Sequence, residues 1–338
     1  MTNAVSMRDV ALRAGVSVST VSNALNRPDR VSTTSLRRVQ AAIEALGFVR
    51  NEAARQLRRG ESRTVGFVML DGKNPFFMEV ARAAEDRLAE AGLVMTLGDS
   101  ARDVDRERGY LDLFEELRVQ GILISPYGNV DERLQQLASR GIGVVLLNRQ
   151  SLDGRLSSVS VDDVAGGRLA VEHLVARGRR RIAFVGSEDT SQFADRLTGV
   201  RQVIAMNPDV SLEIVAIAAP RVLEGRKVGV EIASRAPAER PDGIFASNDV
   251  VAMGLLQGLT VGPQPIRVPD EIALIGYDDI DFAESAVVPL TSVRHPGVTI
   301  AARAVELLLA EANDRDRPKQ QVVYRPEIIE RASTGVPS

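Results

Sequence analysis

The sequence predicts two α/β lobes of similar construction behind a small all-α headpiece, and three observations predict it. Residues 7–46 carry helical spacing in three short segments, bounded by capping residues and turn chemistry. From Thr64 to Asp278, short apolar runs alternate with helical segments of about 10–15 residues, which means parallel α/β construction. Two of those runs recur further along at nearly one offset. With 338 residues, 44% of them hydrophobic and 26% charged, the chain has ordinary globular composition and the length for two or three domains.

Composition also removes several chemistries. There is no Cys, so disulfides, thiolate metal sites and Cys nucleophiles are excluded. Two His leave little room for a His-based metal site or a catalytic triad, and no cofactor is expected. No run approaches the roughly 18 apolar residues of a membrane span. The opening MTNAVSMRDVALRAG lacks the apolar stretch of a secretory signal, so the expectation is a cytoplasmic protein. The net charge of −3 hides an asymmetry. Residues 1–63 carry 11 Lys and Arg against 5 Asp and Glu, a net +6, and the remainder carries −9. A basic N-terminal sixth on an acidic body points to a nucleic-acid-binding piece joined to something else.

MRDVALRA forms the first helix, with Val10, Ala11 and Ala14 on one face, and Gly15 interrupts it. Ser17 is an N-cap for a second helix, VSTVSNAL, and Asn26-Arg27-Pro28-Asp29 is turn chemistry. TTSLRRVQAAIEALG follows, with Val39, Ile43 and Leu46 at helical spacing and Gly47 past its end. The first two helices fit a helix-turn-helix. Crossing helices need a small contact residue, Ala11; the tight turn needs φ > 0, Gly15; and the second helix anchors inward through Val21. Its other face, Val18, Ser19 and Asn23, is then free to enter a major groove, with Ser17 and Thr20 in reach of phosphates. Asn pairs with adenine edges, and Val or Thr methyls meet the thymine methyl. A plain helical hairpin packed on the body is the alternative, and the local basic charge argues against it.

In the body, the first series of strands is TVGFVML, LVMTLG, GILIS at 121–125 and GVVLLN at 143–148, separated by helices. A second series begins with SSVSV at 157–161 and runs through RIAFVG at 181–186, 212–217, DGIFAS at 242–247 and EIALIGYD at 271–278. RTVGFVML at 63–70 echoes RRIAFVGS at 180–187, and GILIS echoes GIFAS at 243–247, which favours two similar lobes over one long sheet. In open α/β sheets ligands bind beyond the carboxyl ends of the strands. Those ends carry Asp71 and Asn74, Ser125, Asn148-Arg149, Ser187, Asn248-Asp249 and Asp278-Asp279, and two facing lobes would bring several together.

The segment from MRDVALRAG to RRGES, together with SRTVGFVMLDGKNPFF, ASNDVVAMG, LIGYDD and VVPLTSVRHP, resembles the lactose-repressor (LacI/GalR) family of bacterial transcription regulators over essentially the whole chain. The resemblance implies a helix-turn-helix headpiece at 1–50 and a hinge helix and linker at 51–62. It implies a two-lobed, periplasmic-binding-protein-like α/β domain for effector binding and dimerisation at 63–338. The expected function is sequence-specific repression by a nucleoid-associated homodimer on a near-palindromic double-stranded operator. A small-molecule effector, a sugar or sugar derivative first, would set the affinity. By the same resemblance Val18, Ser19 and Asn23 read bases, and Ser17, Thr20 and Asn26 steady the phosphate backbone. NEAARQLRR at 51–59 matches the hinge helix, which is too short to be stable alone in water. Leu57 matches a leucine that wedges into a minor-groove base step, at an unstacking cost offset by the contacts of a bent duplex. Its alternative is an interdomain core leucine. Arg55, Arg58 and Arg59 would add phosphate or minor-groove contacts. Asp29 departs from the pattern, standing where some relatives carry a basic residue; Arg27 or Arg30 does that work, or none does.

The resemblance places effector contacts on Phe77, Ser125, Asn148, Arg196, Asn248 and Asp278. Arg196 and Asp278 suit bidentate hydrogen bonds, Asn248 both donates and accepts, and Phe76 or Phe77 offers a flat face. The alternatives are an N-cap role for Asp278 and a surface salt bridge for Arg196. His295 lines the same cleft or is a partly exposed loop residue, and His173 is structural. Ligand binding would change the angle between the lobes and so the spacing of two hinge helices; the sign of the response stays open. EIIERASTGVPS carries no leucine heptads, which favours a dimer. A periplasmic-type solute-binding protein is the competing reading, and the basic headpiece speaks against it. Phosphate-loop, nucleophile-elbow, HExxH and GxGxxG motifs are absent, which speaks against an enzyme.

Overall fold

The computed structural model describes residues 5–48, 62–188, 190–261, 264–314 and 316–335. The chain divides into two compact units, residues 1–61 and 62–338. The expected hinge residues Arg55, Leu57, Arg58 and Arg59 lie outside the described residues.

In the first unit, helices α1 (Met7–Ala14), α2 (Val18–Asn26) and α3 (Thr33–Leu46) enclose a core of Val10, Ala11, Ala14, Val21, Val39 and Ala42. A capping box starts α1: Ser6 N donates to Asp9 Oδ2 at 2.8 Å, and Ser6 Oγ accepts from Asp9 N. Gly15, at φ +60°, ends it in the left-handed conformation that a side chain would resist. Ser17 then caps α2 by accepting from Thr20 N at 3.0 Å.

The second unit holds two six-stranded sheets. The first comprises β1 (Thr64–Met69), β2 (Val94–Asp99), β3 (Gly121–Ile124), β4 (Gly143–Leu147), β5 (Ser157–Val161) and β11 (Gln321–Tyr324), in the order β11-β5-β4-β3-β1-β2. The second comprises β6 (Arg181–Gly186), β7 (Ser211–Ala216), β8 (Gly243–Ala246), β9 (Ala273–Asp278), β10 (Thr291–Arg294) and β12 (Glu327–Ile329), in the order β12-β10-β9-β8-β6-β7. Every pairing is parallel except β10 with β12. Both sheets reverse their strand order beside their first strand, between β1 and β3 and between β6 and β8, which is where open α/β sheets form a binding crevice.

Helices cover both faces of each sheet. Around the first they are α4 (Pro75–Glu90), α5 (Val104–Glu116), α6 (Asp131–Ser139) and α12 (Gly297–Asn313). Around the second they are α7 (Asp163–Ala176), α8 (Ser191–Met206), α9 (Val222–Ser234) and α10 (Asp249–Thr260), with the short α11 (Asp281–Ser285) after β9. The strands read as unbroken Val, Ile, Leu and Phe because both their faces are buried, as Val65, Phe67 and Val68 show.

The lobes are not consecutive stretches of chain. SSVSV, expected to open the second lobe, is β5 and pairs with β4 in the first. The chain crosses from β5 to α7, returns from β10 to α12, and crosses again from β11 to β12. Alternation alone could not place these crossings, since a parallel strand buried on both faces has the same texture in either sheet. Helix α12 is apolar enough to pack on the first lobe, where Ile300, Val305 and Leu308 join the core of β1 and α4.

Helices α7 and α8 touch backbone to backbone. A Cβ built on Gly167 would lie 2.0 Å from the carbonyl oxygen of Arg196. Gly167→Ala should therefore push α8 away and destabilise the second lobe by about 1–3 kcal/mol, as overpacking does. Urea unfolding of the full chain checks this; an unchanged midpoint would mean that the helices separate without cost.

Candidate functional site

Helix α2 presents the residues expected to read bases. Val18 is 44% exposed, and Ser17, Ser19 and Asn23 are exposed, while Val21 on the opposite face is fully buried. Thr20 is half-buried, and Ser17 Oγ lies 2.7 Å from Ser19 Oγ and 2.8 Å from Thr20 Oγ1. This hydroxyl cluster sits at the N-terminus of α2, where the helix dipole favours an anion such as phosphate. Asn26 is exposed at the other end, with Nδ2 donating to Ser22 O at 2.8 Å. Arg27, Asp29 and Arg30 are all exposed in the turn after it.

In the body, an open cleft of about 580 Å³ lies between the lobes. Leu70, Asp71, Asn74, Phe76, Phe77, Arg102 and Asn148 of the first lobe face Ser187, Gln192, Phe193, Arg196, Ser247, Asn248, Asp278 and His295 of the second. Five of the six expected contacts, Phe77, Asn148, Arg196, Asn248 and Asp278, thus line one cleft. Ser125 stands behind Asn148, 1% exposed, and accepts from its Nδ2 at 3.0 Å.

The structural parts of this site are as specific as its open face. Arg196 is buried. Its Nε donates to Asp163 Oδ1 at 2.7 Å, its Nη1 donates to Ser247 O, and its guanidinium carbon lies 3.5 Å from the Tyr277 ring centroid. Burial works against its charge, but Asp163, and after it Tyr277 and Asp278, outweigh it and hold the pKa above the ordinary value. Neither a surface salt bridge nor a purely ligand-directed arginine describes it. Asp163, the first residue of α7, is the partner that sequence reasoning missed.

Asp278 and Asp279 occupy left-handed backbone, at φ 102° and 57°. Asp249 holds this turn: its Oδ2 accepts from Ile280 N at 2.9 Å and its Oδ1 from Ser292 Oγ at 2.7 Å. Burial drives the Asp249 carboxyl well above the usual range, and Asp278 adds to it. The turn sends the two carboxylates apart. Asp279 binds Arg294 and Arg331, while Asp278 faces the cleft and accepts from Asn74 Nδ2 at 2.9 Å. Asp278 is no helix cap; Asn248 is, accepting from Val251 N at 3.0 Å at the start of α10.

Among the described residues, polar links span the cleft. Besides Asn74–Asp278, Arg221 Nη1 meets Asp71 Oδ2 at 2.5 Å, Arg102 Nη2 donates to Ser187 Oγ at 3.3 Å, and Gln192 Nε2 donates to Asn148 O at 3.2 Å. Arg102, Gln192, Phe193 and Arg221 carried no signal in the sequence, since they sit on loops and helix starts that only the fold brings together. Glu79 of α4 is pushed up by burial and then by Asp281, Asp278 and Asp279. His173, as expected, is structural: its Nε2 lies 2.9 Å from Thr334 Oγ1.

Among the described residues no helix is long and apolar enough to cross a membrane. Residues 6–51 match the family model for bacterial regulatory proteins of the lacI family, and residues 171–334 match that for periplasmic binding protein-like domains. The repressor PurR of Vibrio atlanticus (strain LGP32) is 28% identical over 97% of this chain and 98% of its own. The regulator GalR of Escherichia coli (strain K12) is 31% identical over 98% of this chain and 96% of its own. The solved complex of the transcriptional regulator CelR with cellobiose aligns with a TM-score of 0.69 at 26% identity, over 97% of this chain and 99% of that one. The matched headpiece, the two-lobed fold and the near-complete overlap with GalR agree: this chain belongs to the lacI family of bacterial regulatory proteins.

Proposed function

We propose that this chain is a sequence-specific transcriptional repressor that binds a near-palindromic double-stranded operator as a homodimer and takes a small-molecule effector into the cleft between its lobes. The observation that carries this reading is the pairing, on one chain, of an outward-facing Val18, Ser19 and Asn23 with a two-walled polar cleft. In this reading residues 1–50 are the headpiece, 51–62 the hinge and 63–338 the effector and dimerisation domain. Ser17, Thr20 and Asn26 hold phosphates, and Arg55, Leu57 and Arg58 engage the minor groove and its backbone. Phe77, Asn148, Arg196, Asn248 and Asp278 hold the effector, with Ser125 orienting Asn148. The protein works in the cytoplasm on the nucleoid and has no catalytic role. CelR binds cellobiose. A sugar-like effector is favoured here too, because the cleft supplies carboxylate, amide and guanidinium groups suited to hydroxyls.

The test is a gel shift of the purified full chain on DNA from upstream of its own gene, with and without D-ribose, D-galactose, cellobiose or guanine. Failure to retard any fragment at low ionic strength sinks the DNA-binding reading. Asn23→Ala should relax preference at one operator position by about 1–3 kcal/mol, read by binding to a randomised site; an unchanged preferred site would remove Asn23 from base reading. Leu57→Ala should weaken operator binding while leaving effector affinity in place, measured by titrating each separately. Asp278→Asn keeps shape and tolerates the left-handed backbone, so it should bind operator and lose the effector response. Arg196→Ala should instead unfold the second lobe more readily, by about 3–5 kcal/mol, because Asp163 is left buried without its partner. Equal melting of the Asp278→Asn and Arg196→Ala proteins would contradict that division of roles.

A further inference from the structure

Two of the expected effector contacts each stand two residues before an apolar side chain that leaves its own lobe. Asn248 precedes Val250 at the start of α10, and Asp278 precedes Ile280 after β9. Val250 and Ile280 are buried, and both belong to the apolar cluster of the first lobe, with Leu70, Phe77 and Val80. Their chain neighbours do not. Val251 and Ala283 pack in the second lobe's own core, with Leu274 and Leu290. Asp249 ties the two insertions into one unit. It stands next to Val250, its Oδ2 accepts from Ile280 N at 2.9 Å, and its Oδ1 accepts from Ser292 Oγ at 2.7 Å. Asp279, between Asp278 and Ile280, is clamped by Arg294 Nε at 2.8 Å and Arg331 Nη1 at 2.7 Å. A turn held at so many points moves as a body, so a pull on Asp278 is delivered to Ile280. The apolar contact also differs in kind from the polar links across the cleft. Arg221–Asp71 and Gln192–Asn148 can exchange each other for water at little cost. Val250 and Ile280 have no such exchange: a change of interlobe angle that withdraws them exposes their surface, and that of the first lobe, to water.

Resting on the reading of this cleft as the effector site, we propose that Val250 and Ile280 are positioning residues that set the angle between the lobes and pass effector binding at Asn248 and Asp278 on to it. Neither lines the cleft. Shortening them uncouples the two ends of the molecule: the effector is still bound, the operator is still bound, and each ceases to feel the other. Linkage makes that loss symmetrical.

The chain has no cysteine, so Glu132→Cys in the first lobe and Gln202→Cys in the second, both exposed positions, place one spin label on each lobe. Double electron–electron resonance on the full chain without added ligand, labelled chains diluted with unlabelled ones, reads the interlobe distance. The otherwise unaltered chain should give one distance. Ile280→Ala should add a second population of at least about a tenth of the molecules, and Ile280→Val, which keeps most of the apolar contact, should stay near the first. Val250→Ala carries the same expectation should Ile280→Ala fail to fold. An unchanged distance distribution in the folded alanine variant overturns the proposal. The coupling is then read with D-ribose, D-galactose and cellobiose on DNA from upstream of the gene. The sugar that stabilises the wild type should bind Ile280→Ala within about threefold of its wild-type affinity. The change it causes in operator affinity should fall from the roughly 5–150-fold of allosteric coupling to less than about twofold. Full retention of that change overturns the proposal. If no sugar stabilises the wild type, or no fragment is retarded, the reading of the cleft or of DNA binding fails instead, and the ligand-free distances still decide whether Val250 and Ile280 fix the lobes.

Discussion

The buried ion pair between Arg196 and Asp163 is the interaction on which the second lobe and its half of the cleft depend. Asp163 opens α7 and Arg196 lies in α8, so the pair locks two helices together. Through Ser247 O and the Tyr277 ring the same guanidinium reaches the ends of β8 and β9. An ionised pair out of water is tolerable only when its other hydrogen bonds are also made, and these supply them. The geometry is possible because Gly167 lets the backbones of α7 and α8 meet, so a packing constraint and an electrostatic one share a single place. Whatever a ligand does at the free edge of Arg196, it acts on a group that already organises four elements.

Between the lobes the energetics are different in kind. Each lobe is a sheet with fully buried strands between helical layers, which resists deformation. The lobes are joined by crossovers and by polar links such as Arg221–Asp71 and Gln192–Asn148. Arg221 is about a quarter exposed, so its pair with Asp71 is partly screened and contributes modestly. Rigid bodies joined by exchangeable polar contacts form a two-state element that a bound molecule can bias, and any bias toward or away from DNA binding must be returned in effector affinity.

How much of this was legible before the structure depended on the range of the interactions. The capped helices of the headpiece were readable because Ser6, Ser17, Gly15 and Gly47 act within a turn of their own position. The α/β body was readable from the alternation up to Asp278, but β10, α12, β11 and β12 lie beyond where that alternation was followed. SSVSV went to the wrong lobe, since nothing local distinguishes two buried parallel sheets. In the cleft, residues at strand ends were found: Asn148, Asn248 and Asp278 sit where the sheets stop. Asp163 and Arg221 were not, because their partners are 33 and 150 residues away in sequence. Family resemblance supplied Arg196, but not that it is half structural.

Backbone strain gathers at the cleft, and some of the buried polar atoms without a hydrogen-bond partner lie there too. Among the described residues, the non-glycine positions with positive φ are Ala101, Arg102, Arg118, Asn148, Asp278 and Asp279. Arg102, Asn148 and Asp278 line the cleft, and Ala101 and Asp279 adjoin them. Such backbone conformations cost of order 1–3 kcal/mol each and persist only where surrounding contacts over-determine them. Here Asp249 and Ser292 fix one turn, while Asp99, accepting from Ala101 N at 2.8 Å, fixes another. Asn148 Oδ1 and the His295 nitrogens add desolvation cost at the same walls. A fold selected for stability alone would distribute such penalties or remove them with glycine and apolar side chains. The strained positions, drawn from both lobes, converge on one cleft, where they set the places of Asn148 and Asp278.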